Sequence, residues 1–323
     1  MNKAAIPITC LTICFLTSCT SVIKKEDIIL QAQEIKAAVA IPGPVEADAP
    51  QFTPLPKNEK LVYKAKYLGV TIGEFIITNL GQTMLDGRQV YCFELKVKTL
   101  AFFAKIFKTK DRYVSYMDPR DFVVLRHEEY TKGGTFLESA VDFDYEHHTA
   151  SYKNFLDHRE KTVPIPKKVL DMLSGGYYLR MVPWELGDTV ELNIYADEKI
   201  YSYIGLLQSK TKVNLPPYGK EEAYFLKPYL FINGAAVKNI SAEVFFSTAP
   251  SKKTMRAVLK THLGSVNVVL VEGFKNPEEE TLSKVQLDSG SNVPSKADLK
   301  GLFAFGELSE HRSGIEKFNR PGI

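Results

Sequence analysis

From Lys60 to Glu272 apolar and polar residues trade places with a period close to two, the signature of strands that bury one face. The first such run is Lys60-Leu61-Val62-Tyr63-Lys64-Ala65-Lys66-Tyr67, broken and re-aimed by Gly69 and Gly73. Further runs follow at about 73–80, 89–99, 111–117, 121–131, 135–145, 148–154 and 158–163, then 188–196, 199–208, 210–215, 222–227, 237–247, 253–261 and 265–271. Turn chemistry separates them: Asp86-Gly87, Asp118-Pro119, Gly133-Gly134, Gly187-Asp188 and Asp197-Glu198. Short strands joined in order by such turns predict a mainly β protein, an antiparallel meander that hides its edges as a barrel or strongly curved sheet.

One stretch departs from this period. Lys167 to Ser174 places apolar residues at helical spacing and runs into Gly175-Gly176-Tyr177-Tyr178-Leu179-Arg180, predicting one short inserted helix, broken or capped near Gly175, with Asp171 bonding locally or pairing with Arg180. Upstream of the strands, Lys24 to Ala40 is compatible with a helix, and Pro42, Pro44, Pro50, Pro54 and Pro56 favour an extended spacer. After Gly273 periodicity fades into Asn276-Pro277-Glu278-Glu279-Glu280 and Ser289-Gly290-Ser291, a polar tail with little to bury.

The N-terminus carries a different signal. Met1-Asn2-Lys3 precedes an uncharged apolar stretch from Ala4 to Phe15, long enough for a secretory signal and too short for a hydrocarbon core of ~30 Å. Leu16-Thr17-Ser18-Cys19 then resembles the bacterial lipobox, in which the cysteine is acylated and becomes the mature N-terminus. That resemblance implies palmitate on Cys19, attachment to the cell envelope, and, because Thr20 rather than Asp follows, the periplasmic face of the outer membrane. The expected organisation is a signal peptide at 1–18, a lipidated N-terminus and proline-rich tether at 19–58, a barrel-like domain at 59–273 and a polar tail at 274–323.

Composition removes several classes of function. The 41 basic and 38 acidic side chains are interspersed, with no basic stripe to follow a phosphate backbone, so no nucleic acid is expected. Three of the four cysteines, Cys10, Cys14 and Cys19, lie in the first nineteen residues, and Cys92 reads as a small buried strand residue. No thiolate metal site or disulfide framework is available to the domain. Phosphate-cradling glycine loops and a Gly-x-Ser-x-Gly elbow are both absent.

The densest potential ligand set, Asp142, Asp144, Glu146, His147, His148 and His158, reads as a solvated hairpin end, and His127-Glu128-Glu129 lacks the second histidine of a zinc-protease helix. No catalytic residue, metal or cofactor is assigned. Two apolar features remain as candidate contacts with ligand or membrane, or as plain core: Phe102, Phe103, Ile106 and Phe107 in a lysine-flanked run, and Tyr177, Tyr178 and Trp184 near the helix.

The order of motifs resembles the bacterial envelope family known as domain of unknown function 3108. It is carried by Leu61-Val62-Tyr63 leading into Val70-Thr71-Ile72-Gly73-Glu74, the Tyr113 to Asp118 strand ending in Asp-Pro, Asp171-Met172-Leu173-Ser174 before Tyr177-Tyr178-Leu179-Arg180, Leu186-Gly187-Asp188, and a closing strand pair. Thr248-Ala249-Pro250 departs from the acidic turn usual after the serine. The resemblance implies a curved β domain in the envelope and transfers no catalytic residue. The resulting expectation is a membrane-anchored envelope lipoprotein that binds an apolar ligand, such as a lipid, or an envelope partner protein. The alternatives are a structural adaptor without ligand and a hydrolase of cell-wall or lipid substrates, with Ser174 its nearest approach to a nucleophile.

Overall fold

A computed structural model describes residues 24–39, 52–99, 110–132, 136–216, 218–237, 241–261 and 264–274. Helix α1 spans Lys25–Val39. The first meander is β1 (Lys60–Tyr67), β2 (Val70–Leu85), β3 (Arg88–Thr99), β4 (Lys110–Met117), β5 (Val124–Lys132), β6 (Phe136–Asp144), β7 (Thr149–Asn154) and β8 (Glu160–Pro164). After β9 (Leu170–Asp171) and helix α2 (Met172–Met181) comes the second: β10 (Thr189–Ala196), β11 (Lys199–Leu215), β12 (Gly219–Ile232), β13 (Ala235–Ala236), β14 (Ser241–Ser247), β15 (Thr254–Thr261) and β16 (Gly264–Glu272).

Sixteen strands form one sheet in the order β8 to β1, then β16, β15, β14, β12, β11, β10, β9, with β13 hanging on β12. This is the order of an up-and-down barrel cut between β8 and β9. Every pairing is antiparallel except the two-residue match of β9 to β10. The predicted meander is therefore observed, and among the described residues the sheet is curved but not closed. Side chains and single backbone bonds span the cut instead. The Val124 amide donates to Val169 O, the Tyr145 hydroxyl reaches both Val124 O and Val169 O, and Arg159 and Lys161 both grip Glu198. Beneath them Val141, Phe143, Ala150 and Tyr152 pack with Ile165, Val169 and Tyr195.

Hairpin turns alternate between two rims. The β1–β2, β7–β8 and β10–β11 turns lie at the first rim, where β3, β5 and β15 also end, and the β2–β3, β4–β5, β6–β7 and β14–β15 turns lie at the second, where β11 ends.

Two expectations need correcting. The helix starts at Met172, later than its apolar spacing suggests, because Leu170 and Asp171 are drawn into the sheet beside Ile194 and Tyr195. It also runs straight through Gly175 and Gly176 to Met181. A Cβ on Gly175 would sit 2.9 Å from Ile194 Cδ1, so glycine there allows close packing against β10 rather than ending the helix. The second difference is that 199–208 and 210–215 are one strand, β11, carrying a bulge between Leu207 and Ser209 that bends it without interrupting the ladder.

Helix α2 fills the middle of the curved sheet. Leu173, Tyr177 and Met181 meet Phe93, Met117 and Ile194, while Leu179, Val182 and Trp184 meet Leu207, Leu226 and Phe246. Tyr177 lies flat on Phe93, centroids 3.9 Å apart. Outside the barrel, Ile28 and Ala32 of α1 are buried against Ile204, Leu206, Tyr229 and Phe231. Part of the span expected to act as a spacer is thus held on the domain. So is its end, where the Thr53 amide donates to Met181 O, Leu55 enters the α2 cluster and Phe52 packs on Phe122.

Candidate functional site

The chemistry-bearing side chains collect at the two ends of α2. At its start Asp171 is the N-cap, and local sequence explains why: Asp-x-x-Ser makes a reciprocal box. Ser174 N donates to Asp171 Oδ1 at 2.7 Å, and the Asp171 amide donates to Ser174 Oγ at 3.0 Å. The second carboxylate oxygen meets His127 Nδ1 at 2.9 Å, reaching across from β5. Burial opposes ionisation of Asp171, but bonds from His127 and the Ser174 amide outweigh it and hold the carboxyl below its usual range. The same contact raises His127 against the cost of its own burial. On β5, burial and then Asp111 and Asp197 raise Glu129, with His127 opposing.

At the other end Arg180 is held by Glu59. Nη1 to Oε2 is 2.6 Å and Nη2 to Oε1 is 2.9 Å, a planar fork on a carboxylate, while Nε donates to Ser251 O. Lys253 stands 3.9 Å from Glu59 and donates to the carbonyls of Gly273 and Phe274. The Lys252 ammonium faces Arg180 O, Thr53 Oγ1 and the Trp184 ring; burial, with Arg180 nearby, lowers its pKa.

Three of the predicted residues have a definite place. Tyr177 and Trp184 are buried in the α2 packing, and neither the Tyr177 hydroxyl nor the Trp184 indole N–H finds a partner among the described residues. Tyr178 is half-buried, edge-on to Phe122. Cys19, Phe102, Phe103, Ile106 and Phe107 lie outside the described residues, as does nearly all of the polar tail.

Asp171 and Arg180, a suggested pair, sit at opposite ends of the helix with other partners. Asp144 accepts from the amides of Glu146 and His147 and from the His147 ring, capping its own turn, and Asp142 pairs with Arg126. Among the described residues no three His, Cys, Asp or Glu side chains converge as metal ligands. Ser174 is fully buried and bonded to a carboxylate rather than to a histidine, so it is not poised as a nucleophile.

In sequence, His127 belongs only to an incomplete zinc-protease motif. Period two does place His127 inward beside Ser115, its register partner, but nothing local announces Glu59, whose partner lies 121 residues on.

These features define a class: a curved, barrel-like antiparallel sheet plugged by a helix whose ends carry buried charge. The chain belongs to the family described as Protein of unknown function (DUF3108), whose model matches residues 62–271. Among curated proteins none matches. The chain is also similar to three solved structures. A beta-barrel-like protein of domain of unknown function DUF1849 from Brucella abortus is 8% identical, with a TM-score of 0.45 over 67% of this chain and 96% of that one. A protein of Bacteroides fragilis with a YmcC-like fold, classed as exported, is 11% identical, with a TM-score of 0.29 over 69% and 98%. A protein of Parabacteroides distasonis, classed as a lipoprotein, is 11% identical, with a TM-score of 0.32 over 70% and 99%.

Proposed function

We propose that the chain is an envelope lipoprotein, held by lipid on Cys19 at the periplasmic face of the outer membrane, whose β domain accepts an apolar ligand. The supporting observation is the state of the interior wall. Ile77 and Leu95 on one side of α2, and Leu192 and Tyr203 on the other, pack against the plug yet remain only half-buried, as does Phe75 nearer the first rim. Apolar side chains that face inward and stay partly accessible suit the lining of a ligand cleft, which supports this reading. Native mass spectrometry of the protein purified from cells tests this. The expected spectrum carries a lipid-sized adduct beyond the Cys19 acyl chains, and an adduct-free spectrum with no uptake of a fluorescent fatty acid refutes it.

A second reading, an adaptor without ligand, draws on the buried charge at both ends of α2, which rigidifies the plug rather than opening it. A hydrolase draws no support from Ser174. Replacing Cys19 by Ser tests the anchor: the protein should leave the membrane fraction, and unchanged fractionation with no acyl mass on the wild type refutes it.

A further inference from the structure

We propose that the first rim of the barrel, with the N-terminal turn of α1, rests on the bilayer surface, fixing the orientation of the domain as well as its location. This rests on the reading of Cys19 as a lipid anchor.

The argument begins at the β1–β2 turn. Leu68 and Gly69 occupy its two central positions, with φ of 48° and 81°, the left-handed pair of a type I′ hairpin. The β2–β3 turn at the second rim has the same geometry, φ 47° and 81°, and fills it with Asp86-Gly87, the usual solution. A leucine in left-handed backbone is uncommon, and this one gains no packing in return: it is 79% exposed, with exposed Val70 beside it. The same rim presents Phe155 and Leu156 from the β7–β8 turn, also exposed.

The leash points the same way. Lys25 pairs with Glu191 and Lys36 with Asp188, so α1 descends from the first-rim side toward the second as the chain runs forward. Its start is therefore the end nearest the first rim. Its first turns expose Ile29 and Leu30. Only five residues lie between Cys19 and Lys25, six steps, at most about 20 Å of extended chain.

Because Ile28 and Ala32 fasten α1 to β11 and β12, the forty-residue spacer does not set the distance to the membrane; those five residues do. Gly187 makes the seat: φ is 83°, and a Cβ there would approach Lys36 Cγ to 2.5 Å and Ala32 O to 2.9 Å. Apolar tips on a rim tied this closely to acyl chains meet lipid first.

The test uses the full-length lipoprotein with Cys92→Ala, labelled with an environment-sensitive fluorophore at Leu30→Cys, Val70→Cys, Leu156→Cys or Arg88→Cys, the last at the second rim. The proteins are reconstituted in phosphatidylethanolamine–phosphatidylglycerol vesicles carrying headgroup-region nitroxide lipids. Apolar groups that enter ~5–10 Å into the interface should be quenched at positions 30, 70 and 156 at least about twofold more than at 88.

Equal quenching at all four positions, or strongest quenching at 88, overturns the orientation even where mass spectrometry finds acyl chains on Cys19. Rim quenching without those acyl chains keeps the rim contact and removes the anchor. Absence of both removes the two readings together.

Discussion

Replacing Glu59 by Gln should be among the most damaging single changes available in this domain. Both partners are almost fully buried, with Arg180 side-chain exposure 4% and that of Glu59 5%, and the fork closes at 2.6 and 2.9 Å. The guanidinium also lies over the Tyr177 ring, 5.3 Å from its centroid. Removing one charge strands the other in a poorly solvating interior beside Lys253, a situation that costs about 3–5 kcal/mol. For a domain of this size each kcal/mol moves the melting point by about 2–4 °C, so the midpoint should fall by about 10 °C.

Urea unfolding followed by fluorescence checks this. The midpoint should drop with an unchanged slope, since the surface exposed on unfolding is the same. Replacing both residues with apolar ones, Glu59→Leu with Arg180→Met, should recover most of the loss, because no buried guanidinium is then left without its carboxylate and Lys253 keeps its bonds to the Gly273 and Phe274 carbonyls. A single-variant loss below about 1 kcal/mol, the scale of an exposed pair, refutes the reasoning.

Gly187→Ala should lift α1 from its seat and is read by faster amide exchange across Lys25–Val39, with the β-strand amides unchanged. Tyr177→Ala should cost about 3–5 kcal/mol in urea unfolding through the cavity it leaves on Phe93. Cys92, whose thiol burial pushes up to about 11, should resist alkylation at pH 8 until the domain is unfolded.

The His127–Asp171 pair should make stability pH-dependent from both sides. Asp171 is depressed, so its contribution is present above the ordinary value of 3.8 and lost as pH falls through its folded pKa. His127 is raised, so its contribution is complete below 6.5 and lost as pH rises through its folded pKa. The pair therefore contributes most between those values, and His127→Gln should flatten the alkaline decline in thermal unfolding midpoint.

Local signals in this chain were read well, and distant ones were not. The strand period and the Asp-Gly turns are encoded within a few residues, so the meander was legible, whereas the Asp171-to-Ser174 box, though equally local, starts a helix that the apolar spacing begins near Lys167 and ends near Gly175. Gly175 misled because glycine marks helix ends and close packing alike, and only the position of Ile194 distinguishes them. The α1 patch spells out a helix but not its seat, since Ile204, Leu206, Tyr229 and Phe231 come from strands far along the chain. Arg180 suggested Asp171 by proximity in sequence, whereas charge complementarity was resolved in space by Glu59.

The pairing of β1 with β16 carries a consequence for how the protein is made. Each meander, β1 to β8 and β9 to β16, assembles from neighbours, but they join through the first and last strands, Val62 meeting Glu272. Closing that ladder brings together segments some two hundred residues apart, a slow, high-contact-order step. Until the final strand arrives, the chain holds an open, apolar β1 edge. Truncation before Gly264 leaves that edge permanently unpaired, a template for association between chains.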